Sequence, residues 1–331
     1  MNFYKNNYFQ SQQYKSLNKN IFNNKIIEIN KKNFFILRSR INNKLKLDFS
    51  KKSLGTEFKG ILEFIGQPVD LRSQNFDDKL LGFFDSSSKI IKNYNPGIII
   101  FRAVDMENKE TFEKASNLFL RYGYKCRPWK SLIINLNETN KDLLISHYNT
   151  RREVGLIKNL NLKIEPIVSF DDYLIFIDYF FQRFGHENYP NKDDYFNIET
   201  FNNLIENHNF FIIKIDNIPY SIFSVRIFND RAYWCMVGRI KRFKYSLHAY
   251  SISYLFDYLK EKKINYLDLA GFNPNPKTIK ENGIKKFKEK FEGKTTYQPT
   301  FILDNTNYIK ILRSITNYFK KNKTLADENF F

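Results

Sequence analysis

Residues 265–293 read NYLDLAGFNPNPKTIKENGIKKFKEKFEG, and this stretch sets the fold of the half of the chain that contains it. An apolar run over 266–270 carries one acid, Asp268, and ends on Gly271. Asp268 alternates with Leu267 and Leu269, so on a strand the acid points away from both leucines. Pro274 and Pro276 interrupt any continuous element. Ile284, Phe287 and Phe291 then recur at i, i+3 and i+7, the apolar face of a helix. Gly271 and Asn273 at the strand exit mark a loop that approaches something closely. Between 277 and 294 seven lysines face three glutamates, which makes that approach cationic. A strand end opposite a helix N-terminus in such surroundings suits an anionic ligand.

Outward from this stretch, periodicity and turn residues give the neighbouring elements. SLIINL from Ser131 is a strand, and 137–139 caps a helix expected to run to about Leu160. Helical patterns follow at 171–184 and 197–206. Three strands, 210–215, 220–228 and 232–237, are joined by Asp216-Asn217 and Asn229-Asp230. Asn and Asp tolerate left-handed backbone, so both junctions read as hairpin turns. A helix at 247–262, the motif strand, the motif helix and two strand-like pieces over 295–303 complete the series. The N-terminal half alternates strands (34–40, 44–49, 62–66, 97–103) with helices (76–92, 110–122), an α/β pattern.

The order from 131 to 303, one strand, a run of helices, three strands, then helix, strand, helix and two strands, resembles that of the GNAT acyltransferases. Tyr-Leu-Asp-Leu-Ala-Gly at 266–271, followed by Gly283-Ile284-Lys285-Lys286-Phe287-Lys288-Glu289-Lys290-Phe291, resembles the Fem family. That family is built from domains of the GNAT fold and uses aminoacyl-tRNA to add amino acids to cell-wall precursors. The segment LEFIGQPVDL at 62–71 also resembles the first-domain strand of related acyltransferases. The resemblance implies an α/β (α+β) protein of tandem GNAT-like domains, each a mixed, largely antiparallel twisted sheet flanked by helices. The expected division is a poorly specified lead-in over 1–30, a degenerate GNAT-like domain over 31–130, the acyltransferase domain over 131–305, and a C-terminal helix and tail over 306–331.

Composition is compatible with this. At 331 residues, 42% apolar and 17% aromatic, the chain has ample material for a packed core and suits two domains. A net charge of +18 fits a polyanionic partner such as tRNA, or an anionic membrane surface. Codon bias toward Lys, Asn, Ile, Phe and Tyr explains the same excess of lysine equally well. Cys126 and Cys235 are too few for a disulfide framework or a C-x-x-C metal site, and the default compartment is a reducing cytoplasm. The N-terminus lacks an apolar core of signal-peptide length, and no run reaches the ~18 apolar residues of a membrane span. The expectation is a cytoplasmic protein with possible peripheral contact at the inner membrane surface.

The resemblance implies that Lys288, beside Phe287, stabilises negative charge on a reacting ester carbonyl. Aminolysis of an ester passes through an oxyanion that a fixed cation stabilises. The competing reading is one solvated lysine among many on a basic helix. Arg151 and Arg152 match loosely an S-x-x-x-R-x-x-[IV] pattern of related acyltransferases; a guanidinium pair clamps phosphate or carboxylate, or else lies on an exposed salt-bridged face. Asp268 is expected to anchor the Gly271 loop by accepting backbone N–H groups, with Asn273 acting similarly. Tyr233, on a strand from which GNAT enzymes draw an acid or base, is a candidate proton donor or a packed aromatic. Phe287, Arg151, Arg152, Asp268, Gly271 and Asn273 are thus the substrate-binding candidates, and Lys288 and Tyr233 the catalytic ones.

The loop at 238–245, GRIKRFKY, is basic but lacks the R/Q-x-x-G-x-G/A spacing with which GNAT enzymes cradle the CoA pyrophosphate. His186-Glu187 is not H-E-x-x-H, so no zinc site is expected. Aminoacyl-tRNA is therefore the expected co-substrate, with no metal or redox cofactor, and the acceptor is an amine of a cell-wall precursor, sugar conjugate or peptide. Two alternatives stand beside it: an N-acyltransferase using acyl-CoA or acyl-carrier protein in surface polysaccharide synthesis, and a non-catalytic protein that binds RNA or a membrane surface.

Overall fold

A computed structural model describes residues 25–28, 34–38, 61–66, 98–103, 109–121, 123–184 and 192–304. The helices expected at 76–92 and 306–331, the strand at 44–49 and His186-Glu187 lie outside them. In chain order the strands are β1 (Lys25–Glu28), β2 (Phe34–Arg38), β3 (Ile61–Gly66), β4 (Ile98–Ala103), β5 (Lys125–Arg127), β6 (Lys130–Asn135), β7 (Leu162–Ile167), β8 (His208–Ile215), β9 (Ile218–Phe228), β10 (Arg231–Arg239), β11 (Tyr266–Phe272), β12 (Lys294–Tyr297) and β13 (Thr300–Asp304). The α-helices are α1 (Lys109–Arg121), α2 (Tyr148–Lys158), α3 (Phe170–Phe184), α4 (Ile198–Ile205), α5 (Leu247–Glu261) and α6 (Ile279–Lys288).

These strands form two sheets, ordered β1-β2-β3-β4-β13-β5 and β12-β6-β11-β10-β9-β8-β7. Each sheet has one parallel pair, β3–β4 in the first and β10–β11 in the second, and every other pair is antiparallel. Read from β1 and from β8, the sheets repeat one sequence of pairings, so the expected tandem of mixed, largely antiparallel sheets is present. The hairpin turns form at Asp216 and Asn217 (φ 51° and 63°) and at Asn229 (φ 53°), where short polar side chains adopt left-handed backbone.

Two apolar clusters sandwich the second sheet. Val154 and Ile157 of α2, Ile252 and Leu255 of α5, and Phe291 after α6 cover one face through Phe211, Phe223, Leu267 and Leu269. Tyr173, Phe176 and Phe181 of α3 and Phe201 of α4 cover Phe210 and Ile222 on the other.

Four expectations need correction. The helix expected from 137 begins only at Tyr148, with His147 as its N-cap. Residues 136–138 and 141–143 form turns instead, Ile145 bridges Phe291, and the Ser146 N–H donates to the Lys290 carbonyl (2.8 Å), so the exit of α6 claims these groups. β5 and β7 had no counterpart in the sequence reading; β7 is the edge strand beside β8, where Pro166 costs no needed donor. β1 lies within the expected lead-in and pairs with β2. β13, expected to close the second sheet, instead lies in the first between β4 and β5.

Candidate active site

The site forms where the parallel pair ends. β10 and β11 are partners over Arg231, Ala232 and Tyr233 against Tyr266, Leu267 and Asp268, and no further. Beyond that point β10 continues against β9 and β11 against β6, each through a register shift. Met236 (φ 48°) and Ala270 (φ 64°) carry the two irregularities in left-handed conformations that non-glycine residues rarely adopt. The two strands thus separate at one end, and α6 lies against β11 at the opening.

Lys288 ends α6 and is 6% exposed, despite standing in a run of lysines. Its ammonium donates to the carbonyls of Ala270 (2.9 Å) and Gly271 (2.7 Å) and lies 5.8 Å from the Phe272 ring centroid. An ammonium has three donors, so one N–H remains for a ligand oxygen. Burial lowers its pKa to about 8, against a smaller upward pull from the Asp268 carboxylate. At pH 7 it is therefore a cation, held directly by two backbone carbonyls with the Asp268 carboxylate close enough to act on it.

Asp268 lies behind this grip and is 1% exposed. One carboxylate oxygen, Oδ1, accepts from the Ala270 N–H (2.8 Å) and from Ser131 Oγ; the other accepts from the Arg231 guanidinium, itself 1% exposed. Tyr233 is the register partner of Asp268, and its ring lies 4.9 Å from the Arg231 guanidinium carbon. Continuing across the sheet, Arg226 is the partner of Tyr233 and His208 of Arg226, so four polar side chains form one row. His208 Nε2 accepts from Arg226, and burial, then the Arg226 charge, hold His208 neutral far below its usual pKa.

The other expected residues are placed as follows. Phe287 stacks on Trp234 (5.8 Å, 25°) and meets Phe291 edge-on (5.3 Å), forming an aromatic wall one residue from Lys288. Gly271 passes Trp129 so closely that a Cβ would lie 3.3 Å from its ring. Asn273 Oδ1 accepts from the Asn275 N–H (2.9 Å), bracing the two-proline loop. Arg151 turns its guanidinium to the carbonyls of Ile145 (3.1 Å) and Ser146 (3.4 Å), while Arg152 is exposed on α2. The N-terminus of α6 is closed by its own capping box: Glu281 Oε2 accepts from the Lys277 (2.7 Å) and Thr278 (3.3 Å) N–H groups, and Thr278 Oγ1 from Glu281 N–H (3.1 Å). The anion expected there is supplied by the helix itself.

Sequence reasoning missed Arg231, which reads as an ordinary arginine after a turn. The signal was indirect: an acid on an otherwise apolar strand requires a buried partner. A small basic hollow of about 20 Å³ lies beyond the end of β10, lined by Arg239, Lys241 and His248 among others. A larger one, of about 540 Å³, lies near Asn207, Asn229 and Lys262, away from Lys288.

No protein-family model matches the sequence, and no curated protein matches it. Solved structures do. FemX aligns with TM-score 0.61 at 11% identity over 92% of this chain and 94% of its own. The C-terminal domain of a putative lysylphosphatidylglycerol synthetase from Agrobacterium fabrum gives 0.55 at 9% over 94% and 93%. L-PGS from Bacillus licheniformis gives 0.53 at 11% over 90% and 89%. At such identities the likeness is one of fold, and it spans both sheets.

Proposed function

We propose that this chain, which has the Fem-like, GNAT-type fold shared by FemX and L-PGS, is an acyltransferase that moves an aminoacyl group from aminoacyl-tRNA to an amine. The observation that carries the reading is Lys288, buried at the opening between β10 and β11 with two of its three N–H groups fixed on backbone carbonyls. The acceptor nitrogen attacks the ester carbonyl carbon and a C–N bond forms. Charge collects on the carbonyl oxygen, where the remaining Lys288 N–H donates. Collapse breaks the ester C–O bond, the tRNA hydroxyl leaves, and the amine gives up its proton to solvent or to the leaving oxygen. The +18 charge of the chain supports a polyanionic donor, whose affinity should fall steeply with salt. A peptidoglycan precursor, a sugar conjugate or a lipid headgroup amine are the acceptor classes that fit the proposal.

The test supplies purified protein with labelled aminoacyl-tRNAs or labelled acetyl-CoA, and cell-envelope extracts as acceptors. Label passing from tRNA to a small acceptor, and abolished by RNase, is the expected result. Lys288→Ala should lower turnover roughly 10²–10³-fold with the fold intact. Transfer from acetyl-CoA alone would overturn the donor. Unchanged turnover in Lys288→Ala would remove the lysine from the chemistry.

A further inference from the structure

We infer that Arg231 is a positioning residue for Lys288, acting through Asp268 and the turn at Ala270 and Gly271. In a regular strand successive carbonyls point to opposite sides, so two neighbours cannot converge on one atom. Ala270 and Gly271 do converge, both within 2.9 Å of Lys288 Nζ, because Ala270 is left-handed at φ 64°. What holds an alanine in that conformation is the Asp268 Oδ1 that accepts its N–H. That carboxylate is itself oriented from both sides, Oδ1 by Ser131 and Oδ2 by Arg231.

One hydrogen-bonded chain therefore runs from Arg231 through Asp268 and the Ala270 backbone to the Lys288 ammonium. It links residues on β10, β11 and α6 that are far apart in sequence. A buried ion pair is weak evidence of stabilisation, since apolar replacements often match it. Its distinct contribution here is direction, because it fixes which way both Asp268 oxygens point. The charged groups that bear on Lys288 are Asp268 from β11 and, behind it, Arg231 from β10. On its own helix Lys285 is turned to the Pro274 carbonyl (3.0 Å) and to Glu289 (3.9 Å). The consequence for turnover rests on the acyl-transfer reading, whereas the coupling itself does not.

The decisive measurement is therefore the titration of Lys288, not activity. Full-length protein carrying ¹³Cε-lysine is followed by NMR across pH, with the Lys288 signal identified by its loss in Lys288→Arg. Wild type should titrate near 8. Arg231→Met leaves Asp268 uncompensated and loosens the turn, so the midpoint should rise by about one unit or more. Asp268→Asn retains the Oδ1 acceptor but removes the negative charge and leaves the Arg231 cation, so the midpoint should fall. Arg231→Lys should restore most of the wild-type value. If Arg231→Met does not fold, Arg231→Gln, which keeps one N–H for Asp268, should move the midpoint in the same upward direction. Folded variants with an unchanged midpoint, or with Arg231 and Asp268 changes moving it the same way, would overturn the proposal even if acyl transfer is established. Opposite shifts in a protein that transfers no acyl group would uphold the coupling and remove only its catalytic meaning.

Discussion

At the residue scale, Lys288 shows how burial converts a common side chain into a specific one. Its folded pKa of about 8 lies below the ordinary lysine value of 10.5. Between these values the unfolded chain holds a proton that the folded chain has released. Unfolding free energy therefore rises with pH from about 8 to 10.5. Below 8 both states are charged and the folded state bears the full cost of burying the cation, on the order of 3 kcal/mol. Urea unfolding should thus show a stability gain in wild type from pH 8 to 10 that Lys288→Met lacks; parallel curves for the two proteins would refute the assignment. The sequence picked out Lys288 through its place beside Phe287. It could not show the burial, because the lysines around it at 285, 286 and 290 belong to the same pattern and are more exposed.

At the element scale, two glycines of the same motif have opposite structural meaning. A Cβ on Gly293 would lie 2.8 Å from the Ile133 carbonyl oxygen and 3.2 Å from its carbon, where β12 is about to pair with β6. Backbone cannot yield cheaply, so Gly293→Ala should destabilise by about 1–3 kcal/mol. Gly283, within α6, has nothing within 4 Å of its Cβ position. Gly283→Ala should then stabilise by about 0.5–1 kcal/mol through helix propensity alone. Denaturant midpoints moving in opposite directions are the expected pair of results, and a shared direction would contradict this placement of the motif. Spacing marked both glycines, but only the approach of β6 separates them.

At the scale of the whole molecule, the two sheets exchange strands. β6 follows directly on β5 in the chain yet lies in the second sheet between β11 and β12, while β13 follows β12 yet lies in the first between β4 and β5. The two crossings run side by side, tied by the Gln298 N–H on the Trp129 carbonyl (2.7 Å), and Phe112 of α1 stacks on Tyr297 of β12 at 5.0 Å. Phe301 of β13 is fully buried and stacks on Phe119 of α1 at 3.9 Å. Phe301→Ala should therefore cost about 3–5 kcal/mol. Because the strands are exchanged, Trp234 in the second sheet should report the loss in the same transition as a probe in the first. A second-sheet transition left at its wild-type midpoint would show that the sheets fold independently.

The sequence by itself determined what depends on near neighbours. Alternation and helical periodicity gave the β8–β10 meander and helices α1, α3, α4 and α5. Asn and Asp gave the turns at 216–217 and 229 through their tolerance of left-handed backbone. The acid, glycine and Phe-Lys pair of one stretch marked the edge of the candidate site. Tertiary structure alone decided what depends on distant partners. It delayed the helix expected from 137 until Tyr148 by pairing Ile145 with Phe291, and it placed β13 in the first sheet. It also joined Arg231 to Asp268 across 37 positions and removed Lys288 from water. The physical reason is common to all four. Each hydrogen-bonding group found its partner in a segment that no local pattern names, and a buried polar group must have one.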